Sequence, residues 1–385
     1  MADSIGVKQR NLSRVLRLVH REGPMPRSAL TEATGLNRST IAYLVGELRS
    51  LGLVTDHGAG STSRVGRPSP IVAVDPRVVA IAVHPEVDAL TLAAVALDRR
   101  IAVRERIEVD HLLAPEETAR IVAERIDAWA ASELREHRVV GVGLAVPGLV
   151  RARDGIVREA PHLRWRDAPL ARLAHEATGL EAAVDNDATL GAMAEHLYGA
   201  GRGHDAIVYL NGGASGIGGG IVVGGCTARG AGGYAGEFGQ NRPGIASDDD
   251  RRGGRLEDEV DRDRLLRAVG LPSADEPALA AAIARDPDGV SAELGRQRRI
   301  LATALANAVN VLNPSIVILG GFLATILQSD PAGLRAAVAA DAMAASMEDL
   351  EIRVAALGED RLLIGAAEAA FARILDDPAR DGLPR

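Results

Sequence analysis

The most constraining stretch of the sequence is Asn211-Gly212-Gly213-Ala214-Ser215-Gly216-Ile217-Gly218-Gly219-Gly220. It follows an apolar run at 206–210 and merges into a second at 217–224. Glycine at this density reads as a turn. The flanking runs are strand-length, so the stretch reads as a glycine-rich turn between two strands. Val184-Asp185-Asn186-Asp187-Ala188-Thr189 precedes it and Gly236-Glu237-Phe238-Gly239-Gln240 follows. Carboxylates and an amide beside such a turn are the parts needed to hold a polyol near a phosphate.

The rest of the chain bounds what that site can serve. With 385 residues there is material for two or three domains, and 47% hydrophobic with 2% aromatic residues is an α/β composition. No apolar run is long enough to span a bilayer, and Met1-Ala2-Asp3-Ser4 lacks the basic start of a signal peptide. Cys226 stands alone, which excludes a disulfide framework and a cysteine-based zinc cluster. A cytoplasmic protein with no membrane partner is expected. The net charge of −8 is uneven: residues 1–75 carry ten basic and six acidic side chains, leaving −12 on the remainder. A basic N-terminal module on an acidic body fits a DNA-binding head on a ligand-binding core.

Residues 9–21 place Leu12, Val15, Leu16 and Val19 at helical spacing, with Arg10, Arg14, Arg17 and Arg21 opposite. A second helix is predicted over 28–34, capped by Ser28, before a tight turn at Gly35. Asn37 caps a third, with Ile41, Leu44, Val45, Leu48 and Leu51 on its apolar face. This is helix-turn-helix spacing, in which the helix after the turn enters the major groove. Segments 53–57 and 70–74 then read as a two-stranded wing around a Gly/Ser-rich tip. The tip carries Arg64 and Gly66-Arg67-Pro68, suited to a narrow minor groove. The DNA-contact candidates are Arg38, Ser39, Thr40 and Tyr43 on the third helix and Arg64 and Arg67 on the wing. The competing account is a small helical protein-interaction domain, with Tyr43 packed on the surface and the wing arginines solvated.

From residue 79 the texture becomes strand-rich: a meander over 79–83, 89–97 and 101–109, a helix over 115–132 and a buried strand at 139–146. Helices at 168–179 and 187–198 follow. A second cycle has strands at 206–210 and 217–223, helices from about 256, 277 and 290, strands at 315–319 and 351–356, and a final helix at 366–375. Meander, helix, strand is the order of a ribonuclease-H-like lobe, and two such lobes facing a cleft make the actin-like ATPase architecture.

Six strings fall in order along the body: Val142-Gly143-Leu144-Ala145-Val146-Pro147-Gly148, Ala160-Pro161-His162-Leu163-Arg164-Trp165, Asn186-Asp187-Ala188, Gly216-Ile217-Gly218-Gly219-Gly220, Ala235-Gly236-Glu237-Phe238-Gly239 and Leu312-Asn313-Pro314 through Gly321. Together they resemble the ROK family, which holds bacterial sugar kinases and transcriptional repressors that carry the same body behind a winged-helix head. One glycine string alone is weak evidence; six in series are strong. The resemblance implies a winged helix-turn-helix over 1–75. A two-lobed actin-like ATPase, ribonuclease-H-like body over 76–385 would follow, with its cleft near 183–240. It further implies that Asp187 stands where family kinases place the base that deprotonates the sugar. Asn186, Glu237, Gln240 and Glu257 would line the sugar beside it. Taken without the resemblance, Asp187 serves equally well as a helix cap.

Three departures from the family's kinases bear on activity. His84-Pro85-Glu86-Val87-Asp88 replaces the glycine-containing first phosphate loop, removing the glycines that let backbone amides reach phosphate. Gln240 stands where zinc-bearing members have a histidine, and 242–255 lacks cysteine, so no metal is expected. The second phosphate loop, Gly212 to Gly216, is altered though still glycine-rich. Phosphoryl transfer depends on positioning and neutralising phosphates. The expectation is therefore a regulator that binds a double-stranded DNA operator and a sugar or sugar-derivative effector. It would act as a homodimer or homotetramer, without a cofactor and without catalysis. An active sugar kinase with an accessory head, and a ligand-independent DNA-binding regulator with a degenerate pocket, are the alternatives.

Overall fold

The computed structural model describes residues 6–57, 70–213, 216–243 and 254–380, together with the backbone of 2–5. It divides into two compact units, one made of 1–145, 167–184 and 366–385, the other of 146–166 and 185–365.

The first unit opens with α1 (Ala2–Glu22), β1 (Met25–Pro26), α2 (Arg27–Thr34), α3 (Arg38–Ser50), β2 (Val54–His57) and β3 (Ile71–Val74). Leu12, Val15, Leu16 and Val19 of α1 meet Leu30 of α2 and Ile41, Leu44, Val45 and Leu48 of α3 in one buried core. The helical spacing therefore forms as expected. Gly35 ends α2 in the left-handed region at φ 68, and Asn37 caps α3 by accepting the Thr40 N–H at 2.8 Å. Two details differ. Ser28 is not a cap, because Arg27 already lies in α2, whose N-cap is Pro26. The wing has three strands, since Met25-Pro26 adds to β3 in the order β1-β3-β2.

Next along the chain come β4 (Val78–Pro85), β5 (Ala89–Ala96), β6 (Ile101–Glu108), α4 (Pro115–Ala131) and β7 (Arg138–Val146), then the short strands β8 (Leu149–Arg151) and β9 (Ile156–Ala160), which belong to the second unit, and then β10 (Trp165–Ala168), α5 (Leu170–Thr178) and β11 (Ala182–Asn186), of which α5 is in the first. The main sheet runs β11-β7-β4-β5-β6, with β4 antiparallel to β5 and parallel to β7. The small sheet β10-β9-β8 has no counterpart among the sequence expectations, because its strands are too short to show a period.

The second unit contains α6 (Asp187–Tyr198), β12 (Ile207–Gly213), β13 (Gly216–Val223), β14 (Cys226–Thr227), α7 (Leu256–Glu259), α8 (Arg262–Ala268), α9 (Glu276–Arg285), α10 (Pro287–Leu312), β15 (Ile316–Gly321), α11 (Phe322–Ser329), α12 (Pro331–Asp341), α13 (Ala344–Met347) and β16 (Glu351–Val354). α14 (Arg361–Asp376) closes the chain, beginning five residues before the expected 366. The sheet order β14-β13-β12-β15-β16 repeats that of the first unit: counted along the chain, each sheet reads 3-2-1-4-5. The parallel strand β15 is buried along its whole length, which explains why its sequence is continuously apolar rather than alternating.

The N-terminal helices are docked on the rest of the first unit through polar contacts. Ser13 Oγ donates to Leu375 O at 2.6 Å, and Arg17 pairs with Asp376. The buried His20 ring bridges Leu97 O (2.6 Å) and Glu368 (2.8 Å). Part of the basic face of α1 therefore serves this docking.

Candidate functional site

The N-terminus of α6 begins the site. Asn186 is its cap: Oδ1 accepts the Thr189 N–H at 2.9 Å while Nδ2 donates to Gly148 O at 3.1 Å. The capping role considered for Asp187 thus falls to Asn186 instead. Asp187 is the first helical residue, and its Oδ1 accepts the Ala188 N–H at 2.8 Å. A carboxylate here is favoured by the helix dipole and is held at a fixed place by the turn.

β13 then acts as a bench for three segments, and its glycines explain how. In a strand, alternate residues face the same side. A side chain on Gly218 would lie 2.7 Å from Ala188 Cβ, and one on Gly220 would overlap Ala192, so these glycines let α6 lie directly on the strand. Gly219 faces the other way, where a side chain would meet Gly236 O at 2.6 Å and Phe238. A side chain on Gly239 would collide with Ile217 O and approach Glu257 Oε2 at 2.7 Å. The glycine string thus brings the start of α6, the Glu237 segment and α7 together. β12 and β13 pair as a hairpin down to Gly213 opposite Gly216, and the tip residues Ala214 and Ser215 lie outside the described residues.

Glu257, on α7, reaches this bench: its Oε2 lies 3.5 Å from the Ile217 N–H, and its Oε1 accepts from Gln240 Nε2 at 2.6 Å. Gln240 therefore orients Glu257. Burial first, and then the negative charges of Asp187 and Glu257, push the Glu237 carboxyl above its ordinary range. Asn186, Asp187, Glu237, Gln240 and Glu257, named from the sequence, thus belong to one neighbourhood of the second unit. Carboxylates in such a cluster accept hydrogen bonds, which suits a ligand that offers several hydroxyl donors. Among the described residues, no group of three His, Cys, Asp or Glu is arranged to hold a metal ion.

One element of this neighbourhood carried no sequence signal. Asp185 is buried, with Oδ1 accepting the Asn186 N–H at 2.9 Å and Oδ2 ion-paired with Arg229. Burial raises its carboxyl despite Arg229. The partners lie far apart in the sequence, in no recognisable motif.

In the first unit, the segment 84–88 ends β4 and turns into β5. His84 Nδ1 lies 2.9 Å from Ala145 O. Pro85 has no N–H to offer, and the Glu86 N–H donates to Ala89 O at 2.8 Å. Arg106 holds both carboxylates, donating to Glu86 at 2.5 Å and Asp88 at 3.2 Å, and Thr91 Oγ1 adds a bond to Glu86 at 2.9 Å. Burial opposes the Arg106 charge, but Glu86, Asp88 and Glu108 outweigh it and raise its pKa. Within the hairpin, the Glu86 N–H and the Glu86 and Asp88 carboxylates all have partners.

On the N-terminal module, Arg38 and Ser39 are exposed at the start of α3, with Ser39 Oγ donating to Asn37 Oδ1 at 2.7 Å. Thr40 gives its N–H to the cap and is half-buried. Tyr43 is 52% exposed, with Lys8 Nζ 5.2 Å from its ring centroid and Lys8 also paired with Glu47 at 2.8 Å. Arg64 and Arg67 lie outside the described residues.

Comparison with known proteins follows the same division. Residues 81–254 match the profile of the ROK family. A putative xylose repressor of Caldicellulosiruptor sp. is 28% identical over 339 residues, covering 82% of this chain and 83% of that protein. A glucokinase of Thermotoga maritima is 30% identical over 280 residues, covering 67% of this chain and 86% of that protein. Among solved structures, a ROK family transcriptional regulator described as a homologue of the E. coli MLC protein aligns with a TM-score of 0.77. It is 22% identical and covers 96% of this chain and 97% of its own. That alignment carries the fold, a winged helix-turn-helix ahead of an actin-like body, over nearly the whole length. The chain belongs to the ROK family.

Proposed function

We propose that this chain is a sugar-responsive transcriptional repressor of carbohydrate genes, whose body binds a sugar or sugar derivative and transfers no phosphate. Arg38, Ser39, Thr40 and Tyr43 on α3, with Arg64 and Arg67, contact a double-stranded operator. Asn186, Asp187, Glu237, Gln240 and Glu257 take the sugar. Relatives named xylose repressor support the regulatory half of this account. A two-fold operator makes a homodimer, or a homotetramer built from it, the working assembly.

The hairpin at 84–88 carries the non-catalytic half. Anions bind where several backbone N–H groups converge. Here Pro85 lacks the donor, the Glu86 N–H is taken by Ala89 O, and two carboxylates occupy the turn. A nucleotide phosphate placed there meets negative charge and no amide cradle. The site needs only to bind sugar differently in two states of the protein to act as a switch.

Relatives named glucokinase keep an active kinase as the second reading. Incubation with Mg-ATP and a panel of hexoses and pentoses, read by ADP release and by mass of the sugar product, separates the two. The proposal expects no sugar phosphate; stoichiometric product formation overturns it. A thermal-shift response to no sugar at all would instead favour a ligand-independent regulator.

A further inference from the structure

The loop that delivers Glu237 is half glycine, and what holds it in place is therefore informative. It runs from Arg229 through Gly230, Gly232 and Gly233 to Gly236, and Gly230, Gly233 and Gly236 all have positive φ, at 67, 100 and 102. Glycine-rich segments have the most conformational freedom to lose, so such a loop takes its place from its anchors. Three anchors are visible. The Ala235 N–H donates to Arg229 O at 3.2 Å, closing the loop on itself. The Ala152 N–H donates to Gly232 O at 3.1 Å, strapping its middle to the segment after β8, where a side chain on Gly233 would meet Val150 O at 2.8 Å. The third is the Arg229 side chain, which crosses to the buried Asp185.

Asp185 directly precedes Asn186 and Asp187. Its two oxygens divide the work, one accepting the Asn186 N–H and the other the Arg229 guanidinium. We propose that Arg229 is a positioning residue of the sugar site: through Asp185 it sets the register between the Asn186-Asp187 segment and the loop bearing Glu237. The inference rests on the sugar-site reading above. The pair suits the task because a charge-assisted hydrogen bond between a guanidinium and a carboxylate is directional. One partner is sealed in protein, so losing the other leaves a buried carboxylate uncompensated. The Arg229 side chain itself is 39% exposed, so its replacement leaves the hydrophobic core intact.

The test is a double-mutant cycle on the full-length protein with Arg229→Met, Asp185→Asn and the combination. Each is titrated calorimetrically with D-xylose and D-glucose, with melting temperature and circular dichroism as folding controls. Two residues acting through one contact are non-additive, so each single variant should weaken sugar binding about tenfold and the pair about tenfold again in total, not a hundredfold. Arg229→Lys should recover part of the loss, because it keeps the charge without the fork. Unchanged affinity in Arg229→Met, additive losses, or a loss matched by unfolding would overturn the assignment. Glu237→Gln is run alongside. If it abolishes binding while Arg229→Met does not, only the role of Arg229 fails. If the wild-type protein binds neither of these nor any other member of a panel of hexoses, pentoses and their phosphates, the sugar-site reading falls and the assignment with it.

Discussion

Two acidic regions of this chain look alike in sequence and differ in what surrounds them. At 84–88, Glu86 and Asp88 are met by Arg106 and Thr91, and the turn uses its own donor internally. At 187–257, Glu237 is half-buried beside the charges of Asp187 and Glu257, and its pKa rises in consequence. The first region has its electrostatics settled by the fold. The second holds like charges together at a cost to stability, as binding sites do. The difference teaches where the proposed ligand binding is to be sought: in the cluster that the backbone forces together, not in the hairpin whose carboxylates Arg106 already holds.

The largest effect that could break this contrast lies in the cluster. Asp187→Asn or Glu237→Gln should each cost about 1.5–3 kcal/mol of sugar affinity, the range for hydrogen bonds to charged groups. Operator release by sugar should be blunted correspondingly, as read by fluorescence anisotropy on labelled operator. A normal response in both variants would place the sugar elsewhere. Gln240→Ala removes a neutral donor from Glu257, so a smaller loss of about 0.5–1.5 kcal/mol is expected in the same titration. Arg106→Ala attacks the other region: its pairs are partly exposed, so stability should fall by only about 0.5–1 kcal/mol in urea unfolding. Sugar affinity should not move, and a fall would tie the hairpin to the sugar.

The smallest effect concerns pH. The folded-state pKa of Glu237 lies above its unfolded value, so protonation favours the fold and its charge weakens the fold at neutral pH. Glu237→Gln should therefore melt slightly higher than wild type at pH 7. That advantage should vanish as the pH falls below the unfolded carboxylate value of about 4.3. A variant that melts lower at pH 7 would mean that the Glu237 charge is compensated.

Much of this was legible in the residues, for reasons that differ by element. α6 begins at 187 as expected because an Asx residue before an apolar helical run marks a start, but the cap is Asn186 and not Asp187. α3 and its cap follow from the same chemistry. The five candidate sugar contacts could be named because the family motifs carried their positions, and they lie in one neighbourhood of the second unit. The strand over 217–223 was legible, but what its glycines do was not: their missing side chains admit α6 on one face and the Glu237 segment on the other. Asp185 and Arg229 were hidden because an ion pair across many residues leaves no periodic trace. Ser28 misled because a good capping residue one position inside a helix looks the same in sequence as one at its edge.

The central claim is sugar binding without phosphoryl transfer, and one calorimetric experiment bears on it most directly. The protein is titrated with D-xylose and D-glucose, then with Mg-ATP in the presence of whichever sugar binds, and the final mixture is assayed for sugar phosphate. The account predicts a saturable sugar isotherm that is lost in Glu237→Gln, no heat of nucleotide binding and no phosphorylated product. Nucleotide binding accompanied by sugar phosphate would contradict it.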